Sequence, residues 1–466
     1  MINKYLLVFF LNFFNLCFGQ FFYTGYQQAE NWLATNSARN YSKLDSTSLW
    51  QKYKDKNKII GDNDHHFGVF LNLRNSKNSR ILQHKSDLIG NGILTNYTFS
   101  IPNFEVVNSM FFTNTMQEAD RGFVRTIKDV TMYTNQAYLK YSNNKSHLDY
   151  SFKVGRDFII EGKGIGSKLF FSDFSRPFDQ LSIKASYKNI NGKFSAISLD
   201  SLYNHNRFLY MHSLGLKIKN ISISFGEAII STGINETINI KYLNPFNFWA
   251  WENIGSLNNG LNALLYFGID IYSKKKIRLY SELLIDDINF HNKNAFYLNK
   301  YALLIGIHKT SFPFNSSNIW IEHTNVLNQV YQSYHPTHIY THRGYPIGHY
   351  LGNDFINTRL HYSQLFEFLS SKLFLDLSYT IQGKNNINTP FENPWEDNLG
   401  NKIIDYSHPG FPTPPLQKII DFNLGFEVSL KNLANLSFVI ENQQISQNIF
   451  DTRLRLSFWS YLNIVK

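Results

Sequence analysis

Apolar and polar residues alternate along most of this chain with a period of two. From Leu181 to Tyr187 the residues LSIKASY put Leu181, Ile183, Ala185 and Tyr187 on one face and Ser182, Lys184 and Ser186 on the other. Side chains of a strand point to opposite faces in turn, so this pattern predicts a β-strand with two different surroundings. The pattern returns in DYSFKVGRD (149–157), ISISFGE (221–227), LNALLYFGIDIY (261–272), LFLDLSY (373–379), FNLGFEV (422–428) and TRLRLSFW (452–459). Turn-forming clusters separate the strands, among them SNNKS (142–146), NINGK (189–193) and YSKKK (272–276). Counted along the chain, the segments predict about eighteen strands.

Alternation alone also suits a soluble sandwich. Composition separates the two: aromatic residues make up 16% of the chain and charged residues only 17%, against roughly 25% charged in soluble domains. Aromatic residues also gather near strand ends, as at Trp459 and Tyr461, where a girdle meets lipid headgroups. Beyond the first residues no run reaches the roughly 20 apolar positions a membrane helix needs. The expected fold is therefore all-β: a transmembrane antiparallel barrel, because only a closed sheet satisfies every backbone donor in hydrocarbon.

The chain divides into three parts. Residues 1–19, MINKYLLVFFLNFFNLCFG, carry one lysine before an apolar run and end on a small residue, the layout of a secretory signal with cleavage after Gly19. A lipid anchor on Cys17 is the rival, disfavoured by Asn15 and Leu16 before the sulfur. Cys17 is the sole cysteine, so disulfides and thiolate metal sites are excluded from the mature chain. Residues 20–63 lack alternation and place Trp32, Leu33, Leu44, Leu49 and Trp50 among helix formers, predicting a short helical or plug segment. Residues 64–466 form the barrel.

Four connections, 156–180, 228–258, 324–356 and 383–418, are far longer than ordinary loops and are expected to form the outward working surface. The third contains YTHRGYPIGHYLGND (340–354). Aromatic rings stack on the C–H faces of sugars, and planar side chains match paired hydroxyls, so Tyr340, Tyr345 and Tyr350 with His342, Arg343, His349 and Asp354 suit a glycan. Gly344, Gly348 and Gly352 permit tight turns that would fold the loop into the barrel mouth. An equally weighted reading is that the same loop merely seals the barrel.

Other motifs are weaker. His335, His338 and His342 have helical ligand spacing, but Pro336, Gly344 and Pro346 oppose a helix, so no metal site is expected. His65 and His66 after Asp64 lack the partner aspartates a metal phosphoesterase needs. GKGIG (162–166) is neither a phosphate loop nor a dinucleotide fingerprint and is expected to be a flexible loop. Arg156 is expected to pair with Asp157 inside the lumen, or less readily to meet an anionic sugar. No serine elbow is present, and Asp286 and Asp287 alternate to opposite faces, so neither an enzyme nor a cofactor is expected.

The segments GRDFIIEGKGIGSKLFFSDFSRPFDQL (155–181), FGEAIISTGINETINIKYLNPFNFW (225–249), LYSELLIDDI (279–288) and IEHT (321–324), followed by the 340–354 stretch, together resemble the capsule assembly outer-membrane proteins of the Wzi type, in the form found in Bacteroidota. The match runs in order through most of residues 65–460. It implies a large barrel with an amino-terminal helical portion that holds surface polysaccharide at the cell exterior. The aromatic terminal residue usual in such barrels is replaced by NIVK, a small extension beyond Phe458, Trp459 and Tyr461.

Losing Lys4 with the signal lowers the formal charge from +10 to +9. Nucleic acid is excluded as a partner of an exported barrel, which leaves acidic polysaccharide or lipopolysaccharide phosphates as counter-charges. The expectation is a monomeric, polysaccharide-binding outer-membrane barrel, with polysaccharide export machinery as a further candidate partner. The alternative is a porin-like channel for small solutes or oligosaccharides.

Overall fold

The computed structural model of the protein describes residues 63–74, 92–101, 103–113, 125–127, 130–143, 148–172, 174–249, 261–273, 275–287, 300–333, 335–366, 371–388, 410–430, 434–445 and 449–463. The expected signal (1–19), most of the expected helical segment (20–63) and parts of the four long loops lie outside the described residues. In chain order the strands are β1 (Asn63–Arg74), β2 (Gly92–Ile101), β3 (Phe104–Thr113), β4 (Arg125–Ile127), β5 (Val130–Asn143), β6 (Leu148–Asp157), β7 (Phe178–Tyr187), β8 (Ile190–Ser198), β9 (Asn206–Ile218), β10 (Ile221–Gly233) and β11 (Leu261–Ser273). There follow β12 (Ile277–Asp287), β13 (Lys300–Thr310), β14 (Ser317–Val326), β15 (Thr341–His342), β16 (Tyr345–Pro346), β17 (Phe355–Phe366), β18 (Ser371–Gln382), β19 (Gln417–Leu430), β20 (Ala434–Ile445) and β21 (Ile449–Asn463).

Nineteen of these make one antiparallel sheet, and β15 and β16 pair with each other alone. Setting aside the three-residue β4, which pairs only with β5, each strand of the sheet has two neighbours. The last meets the first: β21 pairs with β1 from His66↔Asn463 to Arg74↔Arg455, while β1 also pairs with β2. The sheet thus returns on itself as a barrel of the eighteen long strands. Closure removes the unpaired edges that hydrocarbon does not tolerate. Among the described residues no helix is long and apolar enough to cross a membrane.

The two ends of the barrel differ. At one, tight turns join the strands, such as Lys188–Asn189 between β7 and β8 and Lys219–Asn220 between β9 and β10; both lysines have positive φ. At the other lie the long connections β6–β7, β10–β11, β14–β17 and β18–β19. The 228–258 connection begins later than expected, because Ala228–Gly233 continue β10 in register with β9. Side chains still turn to opposite faces in turn there: Ile229 and Ser231 fall on the face of Ile223, Ala228 and Ile230 on the opposite one.

The outer wall is apolar and exposed, as Leu214, Leu216 and Ile218 of β9 and Leu303, Ile305 and Ile307 of β13 illustrate. The inner wall departs from a simple aqueous lumen. Leu209, Met211, Ala228, Ile230, Leu264, Leu284, Ala302 and Leu304 point inward and join one buried cluster with Leu169, Phe170 and Phe171 of the β6–β7 loop and Tyr331, Tyr340 and Ile347 of the β14–β17 loop. The β6–β7 and β14–β17 loops fold back into the barrel, and the upper inner wall of β8 to β14 packs against them.

Candidate functional site

Two glutamates on the inner wall hold the β6–β7 loop. Glu282 of β12 and Glu322 of β14 sit where strand alternation turns them inward, and both are buried. Glu282 accepts hydrogen bonds from the backbone N–H groups of Lys163, Gly164 and Leu169, the last at 2.7 Å. Glu322 accepts from Ile165 (2.8 Å), Gly166 (3.2 Å) and Ser167 (3.3 Å), and the Tyr280 hydroxyl donates to it at 2.9 Å. Six backbone donors of the GKGIGSKL segment therefore end on two carboxylates, which is how irregular backbone is kept satisfied away from water. Arg278 donates to the Lys163 carbonyl at 2.6 Å and is held by Asp270 at 2.7 Å, while Lys163 Nζ lies 3.0 Å from the same carboxylate.

The glycine spacing of GKGIG is explained by contact. A Cβ on Gly164 would lie 1.9 Å from the Ser167 carbonyl oxygen, and one on Gly166 would lie 2.7 Å from the Trp320 ring. The segment expected to be a flexible loop is instead buried and packed. Close approach, rather than freedom, is what those glycines supply.

The 340–354 stretch folds over this plug. Arg343 (φ 51) and Gly344 (φ 78) form the two-residue turn of the β15–β16 hairpin; left-handed φ at both central positions is the type I′ turn that matches strand twist. Tyr340 stacks on Tyr331 at 5.6 Å, and its hydroxyl donates to the Phe170 carbonyl at 2.9 Å. Tyr345 lies under the Arg176 guanidinium at 4.5 Å, with Arg176 also donating to its hydroxyl at 3.3 Å. His349 stacks between Tyr350 (4.7 Å) and Phe355 (4.6 Å), its Nδ1 accepting from the Leu351 N–H at 3.2 Å. Asp354 joins two loops, accepting from Thr413 N–H at 2.8 Å and Asn385 N–H at 3.0 Å.

A buried polar hub sits beneath the hairpin. Arg207 of β9 donates to the carbonyls of Thr337 (2.7 Å), Ile339 (2.5 Å) and Thr341 (3.2 Å), and its Nη1 lies 3.5 Å from Asp200 Oδ1. Asp200 in turn accepts from the Arg343 N–H at 2.8 Å and lies 3.2 Å from His342 Nδ1. Burial works against ionising Asp200, yet His342, Arg207 and the Arg343 N–H together hold its carboxyl below the usual range. Burial pushes His342 the other way, toward the neutral imidazole, against the pull of Asp200.

Burial alone lowers the His349 pKa from 6.5 to about 3. The folded value lies below the unfolded one, so the contribution of a neutral His349 is fully present above about pH 6.5 and declines as pH falls toward 3. His349→Asn retains an acceptor for Leu351 N–H without a titrating ring. Melting temperatures across that window should fall less steeply for the variant than for the parent; equal slopes would remove His349 as the cause.

Tyr340, His342, Arg343, Tyr345, His349 and Asp354 are all buried, and their rings and polar groups engage neighbouring loops. The folding back that Gly344 and Gly352 were expected to permit does occur, with φ of 78° and 76°. Arg156 is elsewhere. It shares the outer face of β6 with Phe152 and Val154 and makes a bidentate pair with Asp179 of β7, at 2.8 and 2.6 Å. The expected Arg156–Asp157 pair does not form because strand neighbours point to opposite faces; Asp157 turns inward to Lys153 and to Gln136, the latter at 2.7 Å.

His335 and His338 stay in contact, their ring centroids 5.2 Å apart, while His342 stacks on Phe178 and His349 on Tyr350. Among the described residues no group of three or more His, Cys, Asp or Glu side chains gathers as a metal site. Glu282, Glu322, Asp200 and Arg207 were missed by sequence reasoning. A lone carboxylate on a strand face that also carries a large aromatic, Tyr280 beside Glu282 and Trp320 beside Glu322, was the available signal.

The comparisons with known proteins fall on this geometry. The fold is similar to that of Wzi, the Escherichia coli outer-membrane protein involved in group 1 capsule assembly and described as a carbohydrate-binding β-barrel. The superposition has a TM-score of 0.62 over 89% of this chain and 88% of that one, at 12% identity. OccK3 of Pseudomonas aeruginosa (TM-score 0.46, 8% identity, 89% of this chain and 99% of that) and OccAB4 of Acinetobacter baumannii (TM-score 0.46, 9% identity, 86% and 98%) are more distant. No protein-family profile and no curated protein matches the chain by sequence. At such identities the shared property is the fold, an antiparallel barrel of the outer-membrane type.

Proposed function

We propose that this chain is a Bacteroidota-type relative of Wzi that resides in the outer membrane and holds surface polysaccharide at the cell exterior, without enzymatic chemistry. One observation carries the proposal: the loops that would border a channel are locked into the barrel by Glu282, Glu322 and Arg207. A filled mouth suits a binding surface more than a conduit. The resemblance to Wzi, a carbohydrate-binding barrel, supports the same conclusion.

With the 340–354 aromatics buried, the contact falls to what the loops present outward. Tyr203 is 70% exposed at the tip of the β8–β9 loop, in a turn whose Tyr203 (φ 51) and Asn204 (φ 62) are both left-handed and which is closed by paired backbone bonds between Leu202 and His205. A ring held on a rigid tip loses little freedom when a sugar stacks on it. Tyr203→Ala is expected to weaken binding of surface polysaccharide several-fold with unchanged melting temperature. Substituting Arg343 and Tyr345 together is expected to lower melting temperature as well. In planar bilayers the parent barrel is expected to be silent; steady conductance would favour the channel alternative.

A further inference from the structure

Residues 234–249 of the β10–β11 connection do not enter the barrel. The connection leaves β10 at Gly233 and folds down the outside of the wall. Strand parity identifies the surface it covers: Tyr210 and His212 share the face of exposed Leu214, Leu216 and Ile218 on β9, and Glu227 and Ile229 share that of exposed Ile223 on β10. Tyr210, Ile229, Phe194 and Ala196 are buried there under Tyr242 and Trp249 of the connection. The Asn239 N–H donates to the Tyr210 hydroxyl at 2.8 Å. Trp249 stacks on His212 at 4.3 Å and donates its backbone N–H to Glu227 at 3.0 Å, roofing a His212–Glu227 pair whose closest atoms are 3.1 Å apart. Residues 234–249 are thus a fitted strap on the outer wall.

The exposed surface of the strap carries large apolar side chains between exposed polar ones such as Asn235, Thr237 and Lys241. Phe246 is 95% exposed and Ile240 81%, with Ile234 and Ile238 also exposed. The patch continues into the wall, since Phe248 lies 6.1 Å from Phe225, which lies 5.2 Å from the exposed Phe267. Part of the strap's backbone is bonded within the strap. Asn239 Oδ1 accepts from Lys241 N–H at 3.0 Å and Asn244 Oδ1 from Phe246 N–H at 3.1 Å, and Tyr242 and Asn247 donate to the Asn239 and Asn244 carbonyls. Irregular chain with open donors is excluded from hydrocarbon, whereas internally bonded turns with a polar flank and an apolar face suit the boundary between headgroups and acyl chains.

We propose that residues 234–249 are a lipid-docking strap, with Phe246, Ile240 and Ile238 immersed among the upper acyl chains of the outer leaflet. Continuity with the apolar wall selects lipid as the occupant over a protein partner. The proposal rests on the outer-membrane reading of the chain and is independent of glycan binding.

Single fluorophore labels at Phe246→Cys, Ile305→Cys and Tyr203→Cys, each in the mature protein reconstituted in phosphatidylcholine nanodiscs, test it. The readouts are quenching by a nitroxide high on the lipid acyl chain and by aqueous iodide. The label at 305, on the exposed wall of β13, and the label at 203, on a loop tip, calibrate lipid and water. Lipid quenching at 246 that matches 305 and exceeds 203 several-fold is the expected result. Iodide quenching at 246 equal to that at 203 overturns the strap proposal. So does protection from both quenchers, which would mean a second protein copy covers the patch. Absence of lipid quenching at 305 itself would instead overturn the membrane reading beneath it.

Discussion

Replacing Glu282 and Glu322 together by alanine is expected to turn a silent barrel into a conducting one. The two carboxylates receive the backbone N–H groups of Lys163, Gly164, Ile165, Gly166, Ser167 and Leu169, and alanine offers those donors no acceptor on the inner wall. Hydrogen bonds to charged groups contribute about 1.5–3 kcal/mol each, and donors left buried without an acceptor cost a comparable amount. The loop then gains more from water outside the barrel than from its place within it. Single-channel recording on the double variant should show open events that the parent lacks, and protease should cut the loop between β6 and β7 faster. A double variant that stays silent and protease-resistant would mean that apolar packing of Leu169, Phe170 and Phe171 alone retains the plug. Glu→Gln at both positions keeps an acceptor of the same shape and is expected to fall between the two.

The second large effect is expected at Arg207. Its guanidinium is buried and bridges three carbonyls of the β14–β17 loop and the Asp200 carboxylate. Arg207→Ala leaves Asp200 buried without that cation and three carbonyls without their donor. Removing one partner of a buried ion pair costs about 3–5 kcal/mol, enough to release the hairpin of β15 and β16 while the barrel persists. Arg207→Lys is expected to recover little, because one ammonium cannot reproduce a planar fork spread over Thr337, Ile339 and Thr341. Limited proteolysis within 331–354, followed beside the heat needed to unfold the barrel in detergent, separates the outcomes. Loss of loop protection with an intact barrel is expected; full protection in the alanine variant would refute the clamp.

Much of the barrel is legible in the sequence. Alternation in 181–187, 221–227, 261–272, 373–379, 422–428 and 452–459 falls within strands β7, β10, β11, β18, β19 and β21, because a period of two is a local property of extended backbone. The expected strand number agrees with the eighteen long strands of the closed sheet for the same reason. The places where local pattern misleads are equally specific. The β10–β11 connection starts later than its sequence suggests, since the apolar pair Ile229 and Ile230 breaks simple alternation. Each of the two is buried, one under the strap outside and the other against the plug within. The run ALLYF (263–267) is apolar on both faces for two reasons: Leu264 and Tyr266 pack against the plug within, while Ala263 lies against the strap and Phe267 is exposed on the outer wall.

The site is less legible. The 340–354 stretch combines aromatic rings with charge, a composition that serves equally for gripping a sugar or for packing a loop into a polar mouth. Only the fold distinguishes these uses. Asp200 and His342 meet across 142 residues of chain, and Glu282 lies 119 residues from Lys163.

What the sequence by itself determined is what depends on neighbours along the chain: the strands, their turns, the antiparallel barrel and the length of the loops at one end of it. Tertiary structure alone decided which loops enter the barrel, which one lies along its outer wall, and which carboxylates hold them. Those choices depend on contacts between residues far apart in sequence, where burial and hydrogen-bond satisfaction are settled jointly by several loops and no local period records the outcome.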